Sequence, residues 1–380
     1  MANPSSGSGQ VVWQQALGLA SLNWDVHLVC PLPGPKRLAV TESLPLTVHS
    51  IKCSTIPSRD LGEYASGLVN DFRIPLVIGH GLSGLELFKR VNRKQRRFRA
   101  VAHIQHLIAG EICALLKHRL LLLDGIPRNF GRILALTLEY ALTKSDVDSY
   151  LVPSRFTAQE LALVYHQPPA KAIVLPNSVD TSVFHPRFEL AGTHVESSPK
   201  HPLLILYVGR LEARKGVTTL LHAFALVRKK RGDARLIMVG DGPARRQVEL
   251  LAKGLYVDSE VDLVKGLSTG DLAQLYRDAR IVVIPSLYEG FGLVLLEALA
   301  SRAQVVPTDI APFKEIADEF PCRFVPPGNA LELARCIEDS LVREQEPTAS
   351  EEAYQRLVHR YNSSNIAKQL EIVLRSLPEL

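Results

Sequence analysis

The sequence predicts an α/β protein with two domains, each built on a doubly wound parallel sheet. The chain has 380 residues, which is more than one ordinary hydrophobic core accommodates. Short runs of Val, Ile and Leu alternate with longer amphipathic segments. Continuous apolar strands that alternate with helices are typical of parallel sheets that are covered on both faces.

The first half of the chain carries this alternation less regularly than the second. Helical periodicity predicts helices at 10–22, 83–91, 131–144 and 155–166, and apolar runs predict strands in DVHLVC, LTVHSI, PLVIGH, FRAVAHI, SYLVP and AIVLP. Only MANPSS precedes the first glycines, although a doubly wound half normally opens with a strand. Either this first strand is missing, which we favour, or another segment fills its place.

The second half alternates clearly from Leu203 onward. Strands are predicted in LLILYVG, ARLIMVG, VDLVKG, IVVIP and QVVPT, and helices in VTTLLHAFALVRKK, PARRQVELLAKG, DLAQLYRDA, GLVLLEALAS and ALELARCIEDSLV. Residues 177–201 show no strong periodicity and are interpreted as a linker. We therefore predict an N-terminal domain at 1–180, a second domain at 181–350, and a helical segment at 351–380 that could pack back on the N-terminal domain.

Composition and charge exclude several classes of protein. Apolar residues make up 46% and charged residues 22%, as in ordinary globular proteins, and the net charge of +5 gives little argument for nucleic acid. The 5 cysteines have neither metal-ligand spacing nor the pattern of a disulfide framework, which favours a cytoplasmic location. The N-terminus does not resemble a signal peptide, and no apolar run is long enough to predict a membrane span.

Two loops that follow predicted strands carry charged residues, and ligands of open parallel sheets bind beyond the carboxyl ends of strands. In RLEARKG, Arg210 and Lys215 precede a helix N-terminus. Cations beside unpaired backbone N–H groups suit a diphosphate. The alternative for this loop is two solvated surface cations.

The segment SLYEGFGLVLLEALA places Glu289 on a loop and Glu297 inside a predicted helix. Their offset corresponds to roughly 80° of net rotation and about 12 Å of rise in a helix, so the two carboxylates share a side at different depths. Gly290 and Gly292 allow the backbone to approach a ligand closely. Either one extended ligand meets both carboxylates, or Glu297 is an exposed residue of an ordinary capped helix.

Taken together, these motifs resemble those of the retaining GT-B glycosyltransferases of family 4. Glu289 and Glu297 match the E-x7-E pattern of that family, while SGSGQVV (6–12), VLPNSVDTSVFHP (174–186) and VPPGNALELARCI (325–337) resemble further family segments. Ser178, Ala311 and Pro312 depart from it, because glycine is usual at these positions. The resemblance implies the GT-B fold, in which two Rossmann-like doubly wound parallel-sheet domains face a central cleft.

The resemblance implies a nucleotide-sugar donor site. Glu289 would hold hydroxyls of the donor sugar, Glu297 the ribose hydroxyls, and Arg210 and Lys215 would neutralise the diphosphate. The further donor-binding positions implied are Gly7, Gly9, Lys265 near the base, and Gly290, Phe291, Gly292 and Leu293 along the sugar–diphosphate.

Histidines of the first half are further candidates for the donor site. His103 ends a predicted strand where the family often has a donor-site histidine, and it completes the implied catalytic set of Glu289, Arg210, Lys215 and His103. His80 follows another predicted strand. For both residues the alternative is a hydrogen-bonded structural histidine.

The resemblance implies an enzyme, a hexosyltransferase of class EC 2.4 that retains anomeric configuration. No cofactor beyond the nucleotide-sugar co-substrate is expected. A metal is not strictly required, because two basic side chains can replace one. The acceptor, a sugar, a lipid, a polysaccharide or a small molecule, stays open, as do the base and the donor sugar. A role in cell-envelope or polysaccharide biosynthesis is implied.

The segment KRVNRKQRRFR (89–99) is rich in basic residues. It is interpreted as a solvated face or as a peripheral contact with anionic lipid at the inner face of the membrane. Nucleic acid is not expected as a partner, because the segment lacks the aromatic interleaving of single-strand binders. Two other interpretations of the whole chain stay open, an inactive or truncated nucleotide-sugar-binding protein and a GT-B sugar-nucleotide epimerase.

Overall fold

A computed structural model gives the fold of the chain. The structure describes residues 7–31, 44–51, 59–81, 88, 97–118, 135–137, 139–140, 143, 147–186, 203–342 and 349–377. The chain forms two compact units. The first comprises Met1–Ala109, Phe130–Ser178 and Tyr361–Leu380, and the second comprises Gly110–Asn129 and Val179–Arg360.

Helices and strands alternate in the first unit. They are α1 (Gly7–Ser21), β1 (Val26–Pro31), β2 (Leu46–Ile51), α2 (Arg59–Asp71), β3 (Leu76–His80), β4 (Arg99–His103), α3 (Ile108–Lys117), β5 (Ser149–Val152), α4 (Arg155–Tyr165) and β6 (Ala172–Val174). All six strands expected in the first half are present. From Gly110 onward, α3 belongs to the second unit.

The strands of the second unit alternate with helices throughout. The elements are β7 (Leu204–Val208), α5 (Val217–Lys230), β8 (Arg235–Val239), α6 (Arg245–Gly254), β9 (Val261–Val264), α7 (Thr269–Asp278), β10 (Ile281–Ile284), α8 (Leu293–Ala300), β11 (Val305–Pro307), α9 (Ala311–Ile316), α10 (Ala330–Val342) and α11 (Glu351–Tyr361). The chain closes with α12 (Ser363–Ser376), which returns to the first unit.

Two parallel sheets lie in the first unit. One pairs β1 with β2, and the other has the order β3-β4-β5-β6. Helix α1 packs on both, because Ala16 contributes to the cluster over β2, and Leu19 contributes to the cluster that contains Val101 of β4 and Leu370 of α12. Among the described residues, no strand precedes α1.

One sheet of five parallel strands forms the centre of the second unit, in the order β11-β10-β7-β8-β9. The carboxyl ends of all its strands therefore meet at one edge. Strand β10 is buried along its whole length, as expected for a strand covered on both faces. Helix α5 contributes Leu220, Leu221, Phe224 and Val227 to the core, spaced as one helical face requires. The predicted α/β fold class, with two units of parallel sheet flanked by helices, is confirmed.

Helix boundaries differ from the predictions in two places. The helix expected at 10–22 begins at Gly7. The helical segment expected at 351–380 divides at Asn362, whose Oδ1 accepts the backbone N–H of Asn365 at 2.8 Å and so caps α12. None of the helices that the structure describes is both long and apolar enough for a membrane span.

Several predicted segments fall wholly or mainly outside the described residues. These are the helices at 83–91 and 131–144 and most of the basic stretch at 89–99. Of that stretch, the side chain of Arg99 donates hydrogen bonds to the carbonyl oxygens of Leu374 (3.3 Å) and Leu377 (3.0 Å) at the end of α12. Cations are favourable at a helix C-terminus, so Arg99 has a structural contact of its own.

A stability test follows from Gly216, which lies between Lys215 and α5. Its φ is +68°, and a Cβ atom there would lie 2.0 Å from the carbonyl oxygen of Pro285. We expect Gly216→Ala to lower the melting temperature by roughly 5–10 °C, because both backbone strain and a clash oppose it. Gly232→Ala is the control, since nothing lies within 4 Å of its Cβ position. Circular dichroism measures the melting temperature of each variant. Equal melting temperatures for the two variants would contradict the expected strain and clash at Gly216.

Candidate functional site

Two loops lie side by side at the carboxyl-end edge of the second unit. The loop after β7 closes with a single 3₁₀ turn, Ala213–Lys215, and the loop after β10 runs from Pro285 to Gly292. The backbone N–H of Leu287 donates to the carbonyl oxygen of Arg214 at 2.7 Å. This backbone bond and the close contact at Gly216 hold the two loops together.

Glu289 lies at the centre of this pair of loops and is only 9% exposed. Its Oε1 accepts hydrogen bonds from Lys215 Nζ and, at 2.9 Å, from Ser286 Oγ, while Oε2 lies 3.4 Å from Arg214 Nη1. Burial opposes ionisation of Glu289, but the charges of Lys215 and Arg214 outweigh it and hold the pKa below its ordinary value. Glu289 is therefore a carboxylate at neutral pH.

Arg214 forms ion pairs with three carboxylates. None of the described site residues that the sequence predicted contacts as many. Besides Glu289, its guanidinium contacts Glu212 at 2.7 Å and Glu111 of α3 at 3.5 Å. Burial alone would lower its pKa, but the three carboxylates raise it. The sequence motifs did not single out Arg214, because the resemblance pointed to Arg210 and Lys215 on either side of it. Its position one residue before Lys215 in RLEARKG was the available signal.

The two predicted cations of this loop have different environments. Lys215 is buried against Glu289, and burial, with the charge of Arg214, lowers its pKa although Glu289 opposes the shift. The side chain of Arg210 is 61% exposed, with its Nε 3.4 Å from Glu212. The structure thus brings Lys215 and Glu289 together and leaves Arg210 at the rim of the loop.

The start of α8 places backbone groups beside Glu289. Phe291 is buried. Gly292 has φ of +127°, and a Cβ there would lie 2.6 Å from the ring of Phe313, so only glycine fits. Helix α8 begins at Leu293, and the first N–H groups of an α-helix point outward without intrahelical partners. An anion can bind at such an end.

Glu297 lies further along α8 in a different environment. Its Oε2 accepts a hydrogen bond from Tyr276 Oη at 2.9 Å. Burial raises the pKa of Glu297 to about 7, although the tyrosine hydrogen bond opposes the shift. The two glutamates of the E-x7-E pattern therefore differ in ionisation, one held charged by cations and the other near its midpoint at neutral pH.

Lys265 follows β9, at the same edge of the sheet. Its side chain is 66% exposed, and Nζ lies 3.8 Å from Asp241, which follows the neighbouring strand β8. Its expected place near a nucleotide base stays a prediction.

The first unit carries the remaining predicted residues. Gly7 and Gly9 lie in the first turn of α1 rather than in a loop. His103 ends β4, is fully buried, and has its Nδ1 3.1 Å from Nδ1 of His80 and its Nε2 2.6 Å from the amide nitrogen of Gln105. Burial, together with His80, holds the pKa of His103 well below its ordinary value, so it is neutral. Both ring nitrogens of His103 are engaged by neighbouring side chains, and its role in a donor site stays a prediction.

No group of three or more His, Cys, Asp or Glu side chains within the described ranges is arranged to hold a metal ion. The expectation that no metal is required stays a prediction.

Two family models match the chain, one in each half. Residues 193–358 match the family described as Glycosyl transferases group 1, and residues 5–183 match Glycosyltransferase Family 4. The two matches together assign the chain to the glycosyltransferases of family 4, group 1.

Individual relatives cover less of the chain. An uncharacterized glycosyltransferase of Methanocaldococcus jannaschii is 33% identical over 183 residues, which are 47% of this chain and 46% of that protein. Alpha-D-kanosaminyltransferase of Streptomyces kanamyceticus is 28% identical over 179 residues, 46% of each chain. The chain thus spans about half the length of the curated relatives it matches.

Solved structures resemble the whole chain. Sucrose-phosphate synthase of Thermosynechococcus elongatus superposes with a TM-score of 0.78 at 23% identity, covering 98% of this chain and 94% of that one. Anabaena HepE in complex with UDP-glucose gives a TM-score of 0.73 at 16% identity over 99% and 98% of the two chains. These likenesses establish the GT-B fold.

Arg214 provides a test of the ionic cluster. Arg214→Met would leave the carboxylates of Glu111, Glu212 and Glu289 buried with one cation fewer, so we expect a loss of about 3–5 kcal/mol in the free energy of unfolding. The control is Arg210→Met in the same loop, whose exposed ion pair contributes about 0–1 kcal/mol. Urea denaturation measures both. Similar losses for the two variants would count against the cluster as the organiser of the loop.

Glu297 gives a pH-dependent test. Because its pKa is raised from 4.5 to about 7, the folded state binds the extra proton, and stability falls as pH rises from 4.5 to about 7. The full shift corresponds to about 3 kcal/mol. We expect Glu297→Gln to raise the melting temperature by roughly 5 °C at pH 8 and by much less at pH 5. A gain that is independent of pH would contradict the raised pKa.

Proposed function

We propose that the chain is a retaining glycosyltransferase that moves a sugar from a nucleotide-diphosphate sugar to a hydroxyl acceptor. The observation that carries this proposal is the buried cluster of Glu289, Lys215 and Arg214 beside the N-terminus of α8. Family membership supports the class of reaction. The Anabaena HepE structures contain UDP and UDP-glucose, which supports the class of donor.

The arrangement of loops along the sheet edge supports an extended donor. Glu289 follows β10 and Lys265 follows β9, with β7 and β8 between them. Three strand spacings amount to about 14 Å, which suits a molecule of nucleotide-sugar length. In this proposal Glu289 binds sugar hydroxyls, Glu297 binds the ribose hydroxyls, and Lys265 lies near the base.

The chemistry depends on charge that develops as the anomeric bond breaks. The departing diphosphate gains negative charge, which Arg210, Lys215 and the N–H groups at the start of α8 stabilise most in the transition state. The acceptor attacks from the face that the diphosphate leaves, so anomeric configuration is retained. These cations serve in place of a metal.

The acceptor and the cellular site are further parts of the proposal. A further relative, 27% identical over 233 residues, is named D-inositol 3-phosphate glycosyltransferase of Segniliparus rotundus. A single name of this kind does not fix the acceptor, so the acceptor class stays a sugar, a lipid, a polysaccharide or a small molecule. We place the enzyme in the cytoplasm. Peripheral attachment to anionic lipid through residues 89–99 would hold it at the inner face of the membrane.

The test is a donor screen followed by turnover. Ligands that bind only the native state raise the melting temperature, so UDP-, GDP- and ADP-sugars are compared by thermal shift. We expect Glu289→Gln to lower the transfer rate at least about 100-fold, because a group that meets the transition state is lost, while Glu249→Gln on the exposed face of α6 leaves it unchanged. Binding without turnover by the wild type would identify an inactive nucleotide-sugar-binding protein instead.

A further inference from the structure

Tyr276 is a fully buried side chain in the last turn of α7, and its hydroxyl has one partner among the residues that the structure describes. That partner is Glu297 Oε2, at 2.9 Å. Burial, followed by the charge of Glu297, raises the pKa of Tyr276 well above its ordinary value. The phenol therefore stays protonated at neutral pH and donates its hydrogen bond to the carboxylate form of Glu297.

The ring of Tyr276 is fixed independently of its hydroxyl. Phe184 meets it edge-on, with ring centroids 5.9 Å apart. The neighbouring Arg277 donates to the carbonyl oxygens of Val183 (3.4 Å) and His185 (3.5 Å). The segment 183–185 and α7 thus hold each other, which leaves the phenol oxygen little freedom to move away from Glu297.

The two oxygens of Glu297 differ in their surroundings. Oε2 is engaged by Tyr276, whereas no other described side chain donates to Glu297. The residue is half-buried. Burial raises the pKa of Glu297, and the hydrogen bond from Tyr276 lowers it. Among the described residues, no charged side chain contributes to this shift. Oε1 is the oxygen left to accept a hydrogen bond from a bound molecule.

We propose that Tyr276 is a positioning residue, which anchors Glu297 through Oε2 and presents Oε1 to the vicinal diol of a bound nucleoside diphosphate. This inference rests on the proposed function and deepens it, because it assigns the orientation of Glu297 to a residue of another helix. Tyr276 itself touches no ligand in this arrangement.

The variant Tyr276→Phe tests the inference. It keeps the ring and its contact with Phe184 and removes only the hydroxyl. We expect the affinity for UDP, GDP or ADP, whichever binds the wild type, to fall about 10-fold at pH 7.5 by calorimetry, as the loss of a hydrogen bond to a charged group predicts. The KM for the sugar donor should rise by a similar factor, with kcat changed less than about 3-fold.

A pH profile separates positioning from a general loss of structure. Without the phenol, the carboxylate form of Glu297 loses a donor, so its pKa rises further and the midpoint of affinity against pH moves upward. Tyr354→Phe is the matched control, since it removes a buried hydroxyl bonded to the carbonyl oxygen of Ala300 at 3.1 Å in the same unit. We expect this control to keep both the affinity and the midpoint of the wild type.

Carboxyl ¹³C NMR of Glu297 in the protein alone distinguishes this inference from the proposed function. If Tyr276→Phe leaves the Glu297 pKa and the nucleotide affinity at wild-type values, the inference is overturned. If the Glu297 pKa rises in the variant but none of the three nucleotides binds the wild type, the presentation of Oε1 to a nucleotide is overturned together with the proposed function. A raised pKa with weakened binding supports both.

Discussion

The ionic cluster of Arg214, Glu289 and Lys215 is the interaction on which the candidate site depends. Each of these charges is buried, and a buried charge that loses its partner costs more than the pair contributed. Arg214 connects Glu289 to Glu212 and to Glu111 of α3. The guanidinium of Arg214 therefore helps to fix the positions of both loops, together with the backbone bond from Leu287 and the close contact at Gly216.

The same cluster explains how the site can act on charge without rearranging. In the proposed reaction, fixed cations that face the departing diphosphate stabilise it most when they are already in place. The site has local costs, since Gly292 takes a φ of +127° that only glycine tolerates there, and the half-buried Glu297 has a pKa raised to about 7. Such departures from ordinary stability are typical of functional sites. The rest of the second unit, with its continuous apolar core, compensates for them.

Sequence patterns predicted the strands and the site segments but not the contacts between them. β10 was identified because IVVIP is an uninterrupted apolar run, and Glu289 and Glu297 because of their spacing. The pairing of Arg214 with Glu111 could not be predicted, because residues on separate elements meet only through tertiary packing. For the same reason the contacts of His103 with His80 and Gln105 could not be predicted, and its role in a donor site stays a prediction. Gly7 and Gly9 lie in a helix because α1 packs on both sheets, and tertiary packing can override local propensity.

Glu289 and Glu297 show how environment assigns different tasks to the same side chain. At the carboxyl end of β10, cations surround the first carboxylate and keep it ionised. Two helical turns later, the phenol of Tyr276 is the hydrogen-bond partner of the second carboxyl within the described ranges, and burial brings its pKa to about 7. The donor site proposed above assigns the first carboxylate to sugar hydroxyls and the second to ribose hydroxyls, in two different electrostatic environments. The E-x7-E spacing therefore places one carboxylate among cations and the other beside a phenol, so the two differ in ionisation as well as in position.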